Sequence, residues 1–523
     1  MNRMTAPSLR IAVPLVLVLA IASPALANWT ASGVFQYQDR DWDNTGFTGT
    51  VTNKPVRFAD VQIIDPNKNG AKMILANTKT DANGAFSILV SDSSTRTVAV
   101  RVLTSTTQTS DLFVKVTTQG GSVYAGTSSS IPNHNPNTNV NFGTLTAQSF
   151  AGAEAYNILD LGIYGADFIK VLTGSRPNSG KLVTFKWQSN GGVSVSSTSG
   201  NTVTLRDSAG YDDPPIVHEW SHYIMTTNYS RASNPGGAHF LVDCNEDLGL
   251  SFDEGRASTF GAMMRRYYGM PFVNWYIKTD GASGPGHIVN EYDLENVTQY
   301  PCTGDTSEVA VSRTLWDIGD SATTTDDSPG VDDNPPDALA LPDLETWQVF
   351  NGPIKNGTGN VNHEKFWDGW FDPTVANGFK TEMTAIFSAH VVEFFQDAYE
   401  PNNTIATATP IVSNGGSIHN TYFYDPDGDC KVQADTDDYT FNAVSGVVYT
   451  IQTQNLLSDA NTKLELIDTN GTTVLVTNDD RAAGDPSSLI TWTAPRSAVF
   501  YIRSTHATDL GIYGSYDFSV TNP

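Results

Sequence analysis

The sequence predicts a multidomain α+β protein, and three observations carry that prediction. Residues 28 to about 117 read as short β-rich runs broken by turns, residues 149–395 are dominated by helical spacing, and residues 397–523 return to short strands. At 523 residues the chain is long enough for several separate cores.

The chain opens with Arg3 and Arg10 ahead of the apolar run IAVPLVLVLAIA, and Ala25-Leu26-Ala27 forms a small-residue cleavage pattern before Asn28. Residues 1–27 are therefore expected to be a removable export signal. The run is too short to span a bilayer comfortably and contains Pro14. A secreted or periplasmic location follows, with no membrane partner once the leader is gone. The 56 acidic residues outnumber 30 basic ones, for a formal net charge of −26. Such a charge argues against nucleic acid or anionic lipid as a partner. Of the three cysteines, Cys244 and Cys302 form the favoured bridge because both fall in one predicted domain. Closing that loop contributes about 4 kcal/mol in the chain-entropy picture. Cys430 is left over.

In the first segment, GTVTNKPVRFADVQIID, ILANTKTDANGAFSILV and RTVAVRVLT are β-rich, with Asp81-Ala82-Asn83-Gly84 as a turn between them. Residues 118–148, rich in Gly, Ser, Asn and Pro, read as a linker. Helical spacing then appears in AGAEAYNILDLGIYGADFIKVL, and KLVTFKWQ and NTVTLRD are strand-like. FDEGRASTFGAMMRRYY, SEVAVSRTLWDIGD and KTEMTAIFSAHVVEFF are helical again. TTTDDSPGVDDNPPD, between the last two, is a loop and a candidate metal binder. After DAYEPNN, at 397–403, the chain is all β.

The chemistry centres on PPIVHEWSHYIM, residues 214–225. A helix starting near Pro214, helped by Asp212 and Asp213, would pack Ile216, Trp220 and Ile224 as a stripe. His218 and His222 then lie one turn apart on one face, able to converge on a metal ion, with Glu219 beside them. Read without a metal, the same segment is a surface helix with two unrelated histidines. A catalytic zinc needs a third protein ligand. Glu254 is preferred because it opens an expected helix whose neighbours Ala257, Ser258, Gly261 and Ala262 are small enough for close helix approach. Glu246 and Asp247 compete, from an expected loop before Gly249.

Three resemblances extend this reading. Gly49 to Val51, Pro55 to Val61 and Thr80 to Phe86 resemble the carboxypeptidase regulatory-like, transthyretin-type β-sandwich, which implies that fold for residues 28–117. The D-x-Y-E-P-N-N opening, the hairpin Leu464 to Gly471, Asn478-Asp479-Asp480 and the closing G-x-Y-D-F resemble the bacterial pre-peptidase C-terminal domain. That implies a jelly-roll-like sandwich over 397–523. H-E-x-x-H, Glu254-Gly255-Arg256-Ala257, Leu315-Trp316-Asp317 and GGAHFLVDC resemble gluzincin-type zinc metallopeptidases of the thermolysin-like clan. A zincin-like, mostly helical catalytic domain with a small sheet is implied for 149–395.

The last resemblance implies Zn2+ held by His218, His222 and Glu254, with Glu219 as general base in the hydrolysis of protein or peptide substrates. Thermolysin itself carries an acid four places after the glutamate ligand to orient a histidine; this chain has Ser258 there, a weaker hydrogen-bonding group, and Asp317 is the candidate substitute. The oxyanion-stabilising group stays open among His239, His287, His363 and several tyrosines. KLVTFKWQ or NTVTLRD is the expected substrate-pairing edge strand, and Trp316 is expected in the core. Structural Ca2+ is a further expectation for the acidic loops at 425–430 and 434–438. Two other readings remain: a zinc amidase acting on a non-protein substrate, or a non-catalytic binding or adhesion protein built on a degenerate peptidase. The presence of both Glu219 and a third ligand argues for the enzyme.

Overall fold

The computed structural model describes residues 28–177, 182–188, 190–226, 229–232, 237–296, 300, 302–320, 339–431, 433–458, 460–508 and 513–523. The expected leader and the loop TTTDDSPGVDDNPPD lie outside them. The chain is mixed α and β, with several sheets and, among the described residues, seven α-helices. No helix of the described residues is long and apolar enough to cross a membrane.

Ten strands come first: β1 (Asn28–Asp43), β2 (Gly46–Pro55), β3 (Asp60–Ile64), β4 (Ile74–Lys79), β5 (Ala85–Ser91), β6 (Arg96–Leu103), β7 (Val114–Thr117), β8 (Ala125–Thr127), β9 (Ile131–His134) and β10 (Val140–Ala147). In β1 buried residues alternate with half-buried ones, as a strand facing a core on one side requires. It pairs with β2 and β5 antiparallel and with β10 parallel. A second sheet runs β4-β3-β6-β8, with β9 also on β6. Residues 118–148 were expected to be a linker; instead they supply β8, β9 and β10 to these sheets. Their Gly, Asn and Pro residues form the turns between strands rather than a tether.

The helical segment begins with α1 (Ala153–Thr173), buried along most of its length. Three strands follow, β11 (Val183–Lys186), β12 (Ser197–Ser199) and β13 (Thr202–Thr204). They join β7 in the order β12-β13-β11-β7. KLVTFKWQ and NTVTLRD are thus both interior strands, and the sheet ends in β12 and β7, with β12 the end beside α2. Then come α2 (Asp213–Thr226), α3 (Leu248–Tyr267), the hairpin β14 (Trp275–Thr279) with β15 (Ile288–Asp293), and α4 (Glu308–Trp316). α5 (Asp343–Val349), α6 (His363–Trp370) and α7 (Lys380–Ala389) complete the segment. Ile216, Trp220 and Ile224 are buried as the stripe predicts, and Trp316 lies in the core.

The last segment has β16 (Thr409–Ile411), β17 (Ile418–Thr421), β18 (Thr436–Ala443), β19 (Val448–Leu457), β20 (Thr462–Ile467), β21 (Val474–Asn478), β22 (Leu489–Thr493), β23 (Ala498–His506) and β24 (Ser515–Thr521). They form two sheets, β16-β18-β23-β20-β21 and β17-β24-β19-β22. Tyr439, Phe441 and Ile502 from one sheet and Ile451, Phe518 and Val520 from the other share a separate core. By contrast, one continuous core joins the amino-terminal sheets to α1, α2 and α3.

Candidate metal centre

The residues of the site sit on two helices held unusually close. A Cβ at Gly261 would come within 2.8 Å of Val217 Cγ2 on α2, and one at Gly255 within 2.6 Å of Val311 Cγ1 on α4. Larger side chains at either place would push α3 off a neighbour. Asp247 caps α3, its carboxylate accepting from the backbone N–H of Gly249 and Leu250. The helix therefore starts before Gly249, and Glu254 lies two turns inside it instead of opening it. Glu246 accepts the backbone N–H of Glu308 at the start of α4. Both competitors for the third ligand position are thus occupied elsewhere.

His218 Nε2, His222 Nε2 and Glu254 Oε2 converge. Each imidazole nitrogen lies 3.1 or 3.0 Å from the carboxylate oxygen, and the two nitrogens are 3.1 Å apart. A tetrahedral ion with bonds of 2.0–2.1 Å has ligand atoms about 3.3 Å apart. The three donors, two imidazoles and one carboxylate, therefore fit zinc in both size and chemistry. Burial alone would raise the Glu254 carboxyl, but the charge on His222 and the hydrogen bonds from both histidines outweigh it and hold the group well below its usual range.

Ser258 Oγ lies 2.9 Å from His218 Nδ1. It takes the position of the orienting acid; in the tautomer whose Nδ1–H donates to the hydroxyl, Nε2 keeps a lone pair that could face an ion. Asp317 does not take part: it pairs at 2.7 Å with His390 in a buried contact. Glu219 is buried, and the Thr198 hydroxyl on β12 lies 2.7 Å from its Oε2 and 2.8 Å from its own carbonyl oxygen. Thr198 has no sequence signal, since its contact joins a short edge strand to a helix 21 residues later.

Among the oxyanion candidates, the geometry separates three histidines. His239 Nδ1 lies 2.8 Å from Glu308 Oε2, and its Nε2 is 3.6 Å from Glu254 Oε2. The hydrogen bond to Glu308 is the main reason its pKa rises to about 9, against the opposing effect of burial. His287 pairs with Asp280 near the β14–β15 turn. His363 is buried against Phe252 and Phe387, and that burial pushes its pKa down to about 3. Only His239 of the three lines the cleft of 330 Å³ beside the centre, which Tyr276 and Tyr300 also line. The exposed side chains of Val195, Phe240 and Val242 make part of its wall apolar. Cys244 and Cys302 are bridged, as favoured, and Cys430 is free. The bridge ties the end of the strip carrying His239 to the approach of α4.

No family model matches the chain, and no curated protein does. Among solved structures, the chain is similar to the pre-peptidase C-terminal domain of collagenase from Bacillus anthracis. The identity is 22%, covering 22% of this chain and 93% of that domain, with a TM-score of 0.17. It is also similar to PliG, a periplasmic inhibitor of g-type lysozyme, from Aeromonas hydrophila. There the identity is 16%, over 22% of this chain and 96% of the other, with a TM-score of 0.16.

Proposed function

We propose that the protein is an exported zinc metalloendopeptidase of the gluzincin type. In this reading the amino-terminal sheets are a regulatory-like, transthyretin-type module, the middle segment is a zincin-like catalytic domain, and the last segment is a pre-peptidase C-terminal, jelly-roll-like domain. The observation that carries it is the convergence of His218 Nε2, His222 Nε2 and Glu254 Oε2 at 3.0–3.1 Å on two helices.

Bound by these three atoms, zinc would supply Lewis acidity toward a water and the scissile carbonyl. Glu219 accepts the proton of the attacking water on its carboxylate and returns it to the leaving amine nitrogen. Thr198 fixes the orientation of that carboxylate, and Ser258 holds the His218 ring by accepting its Nδ1–H. His239, held by Glu308, donates toward the carbonyl oxygen as charge develops there. The open side of β12, next to Glu219, is where an extended peptide would add as a strand.

Calcium belongs to the same proposal. Asp397, Glu400 and Asp437 bring carboxylate oxygens within 4.8 Å of one another. Glu400 Oε1, Asn402 Oδ1, Asn403 Oδ1 and Asp435 Oδ2 are buried acceptors without a hydrogen-bond partner. Clustered oxygens of this kind suit a hard cation. The segment 434–438 is thereby favoured over the more exposed Asp427 and Asp429.

Metal content measured by elemental mass spectrometry tests the reading. The wild type should hold about one zinc per chain, and Glu254→Ala should lose most of it. Glu219→Gln should keep the metal and lose about 10²- to 10⁴-fold in hydrolysis of unfolded proteins. A wild type that stays metal-free when zinc is supplied sinks the proposal.

A further inference from the structure

Resting on the peptidase reading, we propose that Lys278 selects substrates that carry a carboxylate one or two residues from the scissile bond. Lys278 lies on β14 two residues beyond Tyr276, whose ring meets the His218 imidazole edge-on at 6.0 Å between centroids. Strand alternation sends both side chains to one face. Both line the cleft beside the candidate metal centre, together with Asn290, the cross-strand neighbour of Lys278. Two residues of strand span about 7 Å, which is also the length of two residues of an extended peptide.

No carboxylate of the described residues meets the Lys278 ammonium. The acid whose charge reaches it, Asp212, is committed to Arg206 and to the N–H and hydroxyl of Thr279. Partial burial, and then the like charge of Arg206, lower the pKa of Lys278. The carboxylates beside the cleft each have another partner. Glu219 is held by Thr198, Glu254 by the two ligand histidines and Glu308 by His239. Lys278 is the one lysine or arginine among the described residues of the cleft lining.

In a chain of net charge −26, long-range electrostatics disfavour an acidic peptide. A half-buried ammonium without a counter-charge reverses that preference locally, because an arriving carboxylate forms a charge-assisted hydrogen bond with little competing solvent. The carboxylate is either an acidic side chain or the carboxy terminus of the peptide.

Peptides that differ only by Glu or Gln at each of two positions on either side of the cut, and one pair that differs by a terminal acid or amide, separate these sources. With the wild type, kcat/KM should be about tenfold higher for the carboxylate member of one pair. The difference should lie in KM, collapse to about twofold in Lys278→Met, and return in Lys278→Arg. A preference at a Glu/Gln position assigns an acidic side chain, and one confined to the acid/amide pair assigns the terminus. Equal rates within every pair, or a preference that survives Lys278→Met, overturn the proposal and leave the peptidase reading standing. Calorimetry of the same peptides with Glu219→Gln gives a second readout. Carboxylate-dependent binding to that variant, with no cleavage by the wild type, would keep Lys278 as a carboxylate site and remove the peptidase reading. Neither binding nor cleavage of any peptide would remove both.

Discussion

Two small contacts decide how much of the centre is preorganised. Thr198→Val removes the hydroxyl at Glu219 while keeping its shape. Activity should fall about tenfold with zinc content unchanged, which parallel kinetics and metal analysis would show. Unchanged kinetics would reduce Thr198 to a packing residue. The pair His239–Glu308 makes a pH prediction. A histidine whose pKa is raised donates as long as it is protonated, and it loses that ability as pH rises through the raised value of about 9. Glu308→Gln removes the main cause of the rise, so the alkaline fall in kcat should move toward the ordinary histidine range near 6.5. A limb that does not move assigns the oxyanion to another group. His218, Glu219 and His222 were legible as a group because one helical turn links them, and Glu254 because small residues follow it on a second helix. His239 was visible only as one of several candidates, because the partner that singles it out is 69 residues away. Ser258 was placed by its spacing from Glu254, but its contact with His218 and that of Thr198 with Glu219 join separate elements, which local pattern does not encode.

At the scale of elements, a metal held by His218, His222 and Glu254 would require α2 and α3 to touch. Gly261→Val should therefore displace α3, weaken zinc binding and cost about 1–3 kcal/mol in thermal or chemical unfolding. The disulfide acts differently. It closes a loop of 58 residues in sequence separation that contains α3 and the β14–β15 hairpin. Replacing both cysteines by serine should cost about 4 kcal/mol. His218, His222 and Glu254 are packed on helices, so zinc should stay bound while kcat falls with the loosened strip that carries His239. Loss of zinc in step with activity would show that the bridge supports the ligands instead. The long helices were legible because their apolar residues recur at helical spacing. The hairpin, α5 and α6 escaped notice: the hairpin strands are short, and α6 contains Gly369 among its aromatic residues. The edge strand was misplaced because β12 has no apolar alternation to mark it.

At the scale of the molecule, the carboxy-terminal unit should respond to calcium and pH together. Burial first, and then neighbouring carboxylates, push Asp435 far above the ordinary carboxylate range, and burial likewise raises Asp437. Without an ion, their protonated forms favour the fold. That stability is complete below the unfolded carboxylate pKa near 4 and is lost as pH rises through the raised values. Calcium needs both groups ionised, so at pH 8 chelator should lower the unfolding temperature of this unit and added calcium restore it. The gain is about 2.7 kcal/mol at a hundred times the dissociation constant. Identical melting with chelator and with calcium would rule the ion out. The amino-terminal sheets are tied to their neighbour in another way. β7 leaves them to pair with β11, Arg57 and Tyr37 both reach Asp160 on α1, and Arg40 holds the carbonyls of Ala282 and Gly284. A composition boundary near residue 117 is therefore no seam. A protease nicking the chain there would leave two halves still gripping each other, and a gene fragment starting at 149 would encode a helical body with one face of its core laid open. These two parts must be cloned as one piece.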